Sequence, residues 1–186
     1  GVNRGEEEVP GYLIPEMYFE YLKTMDARPM AGIFYHNAID ILSLAGLFSH
    51  MAFLLNDPHS KQIHHGEDLV SLARFFESMD DLPQAETLYQ NALKSKLPDD
   101  LYWDTVERFS FFLKRKGDWE GAIRLWQMAA EKNHLYAFVE LAKYFEHQTR
   151  DILEAEQLTQ KAIAALEKQI LPVYIYHQWR EELEHR

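Results

Sequence analysis

The chain has 186 residues, 47% of them hydrophobic and 26% charged, a composition that suits one full hydrophobic core, or one domain and part of another. Thirty acidic against nineteen basic side chains give a net charge of −11, which excludes a protein that grips a nucleic-acid backbone by charge alone. The absence of cysteine removes disulfides, thiolate zinc sites and thiol nucleophiles together.

The first residues, 1–11, carry Arg4, three consecutive glutamates and Pro10-Gly11, a loop composition unlike the apolar core of a signal peptide. No apolar run in the sequence approaches the roughly 18 to 20 residues that span a bilayer. A cytoplasmic location without a membrane partner is therefore expected. Pro15-Glu16 opens a short helix, because proline suits the first helical turn and an acid suits the positive end of the dipole. Its apolar side is Tyr18, Phe19, Tyr21, Leu22 and Met25, and Asp26-Ala27-Arg28-Pro29 ends it. A second helix, expected over residues 34–55, is apolar around most of its circumference and so is expected to lie buried between neighbours. Asn56-Asp57-Pro58-His59-Ser60 stops it.

From there the apolar and small residues repeat. Leu69, Leu72, Ala73, Phe76, Ala85, Tyr89 and Ala92 are echoed by Val106, Phe109, Ser110, Leu113, Ala122, Trp126 and Ala129. A third copy reads Phe138, Leu141, Ala142, Phe145, Ala155, Thr159 and Ala162, with one extra residue between its helices. The aligned alanines 85, 122 and 155 are 37 and 33 residues apart, close to the tetratricopeptide period of about 34. Gly117-Asp118 and Asp80-Asp81-Leu82-Pro83 supply the turns. Ile170-Leu171-Pro172 breaks the pattern, and a last helix over 173–186, with Tyr174, Tyr176, Trp179 and Leu183, is expected to cap the array. Both ends read as cut from a longer chain.

The fold expected is therefore all-α: an α-α superhelix of three tetratricopeptide-like repeats over 61–168, a capping helix over 169–186, and separate N-terminal helices over 1–60. In such a superhelix the first helix of each repeat lines a concave groove, which by register places Arg74, Glu77, Glu107, Phe111, Lys114, Lys143 and Glu146 there. A protein or peptide partner is expected in that groove; the alternative is a solvated face of internal ion pairs. Lys114-Arg115-Lys116 precedes Gly117 and suits a helix C-terminus. His59, His64 and His65 lie near one another but in a loop, a weak pattern for zinc.

His36 and Asp40 are four residues apart and project from one side of a helix. A carboxylate can hold a hard divalent cation, and a histidine one turn away can take a proton from metal-bound water. The same pair also suits a helix start, with His36 or Asn37 as cap and Asp40 favouring the dipole, and spacing alone favours that reading.

The longer pattern changes the weighting. It runs Val9-Pro10-Gly11, then Ile14-Pro15-Glu16-x-Tyr18-Phe19-x-Tyr21-Leu22-Lys23-Thr24-x-Asp26-Ala27-Arg28-Pro29, then Tyr35-His36-Asn37-x-x-Asp40-Ile41-Leu42-Ser43-Leu44. This resembles the C-terminal end of the RNase H-like nuclease domain in the YprB-like family, which is similar to the proofreading exonucleases of DNA polymerases. The resemblance covers about residues 1–55 and implies a 3'-5' exonuclease acting on DNA or RNA with magnesium or manganese. Asp40 would be the last metal-binding acid, and His36 would stand where related nucleases place the residue that orients or deprotonates the attacking water. The acid-x-acid strand and middle aspartate of the family pattern do not occur in this sequence. The 1–60 segment is thus expected to be the remnant of a truncated RNase H-like domain, needing no cofactor and hydrolysing nothing by itself. Three roles are open: an interaction or scaffolding module of a nuclease, a nuclease with its missing acids supplied in trans, or repeats that pack structurally on the rest of their own nuclease domain. Nucleic acid would be met only through the intact nuclease.

Overall fold

A computed structural model describes residues 9–60 and 63–185. The chain divides into two compact units, Gly1–Ser60 and Lys61–Arg186. Both are helical, with no strand among the described residues. Most of the loop expected over 1–11, and Lys61 and Gln62 of the histidine-flanked loop, lie outside the described residues.

In the first unit a short 3-10 turn leads into α1, Ile14–Thr24, which carries Pro15 in its first turn and ends on Met25 in a left-handed conformation. Asp26 then clamps the turn, accepting from the Arg28 backbone N–H at 3.0 Å and from its guanidinium at 2.6 to 3.0 Å. A 3-10 turn over Arg28–Met30 feeds α2, Ala31–Asn56. The helix therefore begins before residue 34, with Met30 at its cap position. His36 and Asn37 lie inside the helix and cap nothing, so the helix-start reading of His36 and Asp40 is wrong.

Burial corrects two more expectations. Only Ile33 and Leu54 of α2 are buried, whereas Ile41, Leu42, Leu44, Leu47 and Phe48 are each more than half exposed. Tyr18, Phe19, Leu22 and Met25 of α1 are exposed as well. Nor is an apolar stretch of spanning length absent: the helical stretch Arg28–Asn56 is long and apolar enough by length and composition to cross a membrane. His36, Asn37, Asp40, Ser43, Ser49 and His50 interrupt every continuous apolar run but do not lower the average enough. Core helices of water-soluble proteins pass the same test, so length and composition assign no membrane.

The second unit is a succession of helix hairpins: α3 (Gly66–Ser78) with α4 (Leu82–Lys94), α5 (Asp99–Lys116) with α6 (Trp119–Glu131), and α7 (Leu135–Tyr144) with α8 (Ile152–Leu166). The final helix, α9 (Val173–Glu184), packs on α8 and buries Leu183. Each hairpin turns by the same device. A residue with left-handed backbone, Asp80, Gly117 or Arg150, is followed by an aspartate whose carboxylate caps the next helix. Asp81, Asp118 and Asp151 accept from the backbone N–H three residues on, at 3.3, 2.9 and 3.1 Å. One turn into each capped helix stands Ala85, Ala122 or Ala155, all buried, where a larger side chain would hold the two helices apart.

The third hairpin must absorb its extra residue. In the first two, the aspartate N–H reaches back five residues, to Phe76 and Leu113; in the third, Asp151 reaches six, to Phe145, at 2.8 Å. The surplus is taken up as a π-helical turn over Phe145–Thr149, so Asp151 and Ala155 keep their places.

The core is built on the repeated positions. Trp126 is wholly buried with its indole N–H donating to Ser110 Oγ at 2.9 Å, and Tyr89 stacks on Phe109 with ring centres 5.2 Å apart. Trp126→Ala is expected to lower unfolding free energy by about 3–5 kcal/mol, and Asp118→Ala by about 1 kcal/mol through loss of the cap. Urea denaturation followed by far-UV circular dichroism measures both.

Candidate functional site

Two places carry polar side chains in chemical arrangements, one in each unit. On α2, His36 Nε2 lies 3.2 Å from Asp40 Oδ2, with the two side chains 39% and 44% exposed. The four-residue spacing brings the imidazole over the carboxylate one turn on. No group of three or more metal-ligating side chains exists among the described residues. A single half-exposed carboxylate does not fit a pair of divalent cations, so these residues alone do not form the two-metal centre that the resemblance implies. His59, His64 and His65 likewise join no such group.

In the second unit the groove residues separate into three places. Arg74, Glu77, Glu107 and Phe111 line one concavity of about 490 Å³ together with Asp104, Arg108 and Arg115. Lys114 and Lys143 instead meet on Glu140, a buried acid of α7 that accepts from them at 2.5 and 2.9 Å. Glu146 falls in a different depression with Ile152, Glu156 and Gln160, because the π-turn begins at Phe145 and displaces the register of the residues after it. The structure thus does not gather all seven predicted residues into one groove.

Several of the charges on these helices are committed to internal pairs. Glu77 Oε2 accepts from the Tyr89 hydroxyl at 2.5 Å and from Arg108 Nε at 2.8 Å, while its other oxygen pairs with Arg115. Burial pushes the Glu77 carboxyl up, but the Tyr89 hydroxyl and the two arginines outweigh it and hold the group below the usual carboxylate range. Glu140 behaves the same way, with burial opposed and overcome by Lys114 and Lys143. The basic run closing α5 reaches three helices: Lys114 to Glu140 on α7, Arg115 to Glu77 on α3 and Lys116 to Glu86 on α4. The dipole explanation of that run is incomplete; its cations also join neighbouring helices. Sequence reasoning missed Tyr89, Arg108 and Glu140 as members of these networks. Their signal is weak, since Tyr89 sits at a position that the repeat assigns to the core, and Arg108 and Glu140 stand at no repeat position.

With this geometry in view, comparison with known proteins locates the chain. Residues 1–52 match a sequence model for the RNase_H superfamily, a segment that contains His36 and Asp40. The protein YprB of Bacillus subtilis (strain 168), whose name states no activity, is 28% identical over 164 residues. The chain is YprB-like, and RNase H-like at its N-terminal end. That alignment covers 85% of the chain and so runs from the α1–α2 unit well into the helix hairpins. The chain spans 38% of the length of YprB.

Because Glu77 and Glu140 titrate below their unfolded values, their stabilisation is complete above the unfolded carboxylate range near pH 4.3 and is lost as pH falls through the lower folded values. Glu140→Gln is expected to cost about 1–3 kcal/mol at pH 7 and to flatten the decline of melting temperature below about pH 4.5. Thermal melts between pH 3 and 7 compare the two proteins.

Proposed function

We propose that this chain joins the closing helices of a metal-dependent RNase H-like nuclease to a tetratricopeptide-like array, and that the array is an interaction or scaffolding module for the nuclease. The observation that carries the reading is the His36–Asp40 pair, 3.2 Å apart inside the segment that matches the RNase_H superfamily. In this reading Asp40 supplies one acid of a magnesium- or manganese-binding set whose other members lie elsewhere in the whole protein. His36 stands beside it to hold or move a proton. The substrate class is DNA or RNA, reached through the intact nuclease.

Two further observations support it. The apolar side of α2, exposed at Ile41, Leu44, Leu47 and Phe48, suits coverage by the rest of an RNase H-like domain. The second unit repeats one turn device three times, as expected of an array built from tetratricopeptide-like units. The internal pairing of Lys114, Lys143, Arg108 and Arg115 favours a second reading, in which the repeats chiefly stiffen the protein.

The test uses the whole gene product beside this 186-residue chain. With manganese and a single-stranded oligonucleotide, the whole protein is expected to release nucleotides, and Asp40→Asn to reduce the rate by at least about a hundredfold. The isolated chain is expected to release none. Hydrolysis by the isolated chain that Asp40→Asn abolishes would overturn its catalytic incompleteness, and unchanged activity of the whole-protein variant would remove Asp40 from the metal set.

A further inference from the structure

A concavity of about 570 Å³ in the second unit is lined by the turn before α7, the loop after α8, and residues of α5, α7 and α9. Two exposed lysines belong to it, Lys132 just past α6 and Lys168 just past α8, and neither makes an ion pair or side-chain hydrogen bond among the described residues. Gln169 Nε2 donates to the Asn133 carbonyl at 2.7 Å, so the two loops are tied together at the residues next to the lysines. Neither Glu131 nor Glu167, the acids beside them in sequence, is part of the lining. Two like charges thus share one cavity with no acid of either loop between them, an arrangement that favours an anion.

The rest of the lining is aromatic and amide in character. His134 lies tilted on Trp103 with ring centres 4.6 Å apart, Tyr136 follows at 6.0 Å, and Trp179 of α9 joins His134 and Tyr136 in the lining. Burial holds the His134 imidazole below its usual range, which leaves it neutral at pH 7, an aromatic face rather than a third cation. Glu107 of α5, half-buried and still reached by water, supplies a carboxylate that accepts from N–H groups. An anion for the lysines, a flat ring for the aromatic side chains and N–H donors for the carboxylate occur together in a nucleotide. An acidic peptide would answer the lysines and set another negative charge against Glu107. A site that stacks a base needs no basic surface, in keeping with the net charge of −11.

We propose that this concavity binds one nucleotide, its phosphate on Lys132 and Lys168 and its base against His134, Tyr136 and Trp179. The nucleotide is a free nucleoside monophosphate or the end of a single strand, and the inference rests on the nuclease reading above for that source alone. Isothermal titration calorimetry tests it on the 186-residue chain in EDTA, which keeps divalent cations from Asp40. The probes are deoxyadenosine 5′-monophosphate, deoxyadenosine, deoxyribose 5-phosphate and a single-stranded deoxyadenosine pentanucleotide. The monophosphate is expected to bind at least about tenfold tighter than deoxyadenosine or deoxyribose 5-phosphate, each of which lacks one half of the contacts. Lys132→Gln combined with Lys168→Gln should weaken it about tenfold and leave the melting temperature unchanged, because both side chains are exposed. Trp179→Leu should narrow its advantage over deoxyribose 5-phosphate several-fold. Binding of the monophosphate but not the pentanucleotide supports a released nucleotide as the ligand, and the reverse supports a strand end. No binding of either, or a double-lysine variant that binds like the parent, would overturn the site. Both failures leave the nuclease reading standing, because that reading is decided by hydrolysis in the whole protein and its Asp40→Asn variant.

Discussion

The second unit depends on a turn that lets two helices touch. A left-handed residue reverses the chain, the next aspartate caps the new helix, and an alanine one turn later permits close approach. Everything larger in the core is arranged around that contact, including Trp126 and Tyr89, which fill the space beyond the alanines. Only Gly117 makes the reversal without the cost that a side chain adds to left-handed backbone; Asp80 and Arg150 bear it. The π-turn of the third hairpin shows which element is fixed, for an irregular helix end is tolerated where a displaced Asp151 or Ala155 would part the helices.

Charge on the first helices of the hairpins serves that packing before anything else. Glu77 collects Arg108 and Arg115 from α5, and Glu140 collects Lys114 from α5 and Lys143 from its own helix α7, so both acids tie hairpin to hairpin with charge-assisted hydrogen bonds. The groups that remain without a partner are therefore informative. The Tyr136 hydroxyl and Arg74 Nε are buried with no partner, and in the concavity that Arg74 lines, Glu77, Arg108 and Arg115 pair with one another while Asp104 and Glu107 make no ion pair among the described residues. The same pairing weakens any account in which the groove is simply basic.

Much of this was legible in the order of residues. The repeat positions Ala85, Tyr89, Ala122, Trp126, Ala142 and Ala162 are all buried, because small and large residues at fixed spacing reflect a packing demand that acts locally. The aspartate four residues before each aligned alanine was equally readable, though only two of the three turns stood out, since Arg150 lacks the turn character of Gly117 or Asp80. The burial of α2 was not legible. Its apolar circumference reports what the helix is suited to touch, and composition cannot say whether that surface is covered within the described residues.

The sequence by itself determined the helices, the three hairpins and the likeness of residues 1–52 to an RNase H-type segment, because these rest on short-range spacing of residue types. It also placed His36 and Asp40 within reach of one another, since four residues make one helical turn. Tertiary structure alone decided which α5 cations pair with Glu77 and Glu140, that Glu146 leaves the groove, and that Glu107 and Tyr136 share a wall. Those outcomes depend on how far side chains from different helices can reach, a distance that no periodicity along one chain encodes.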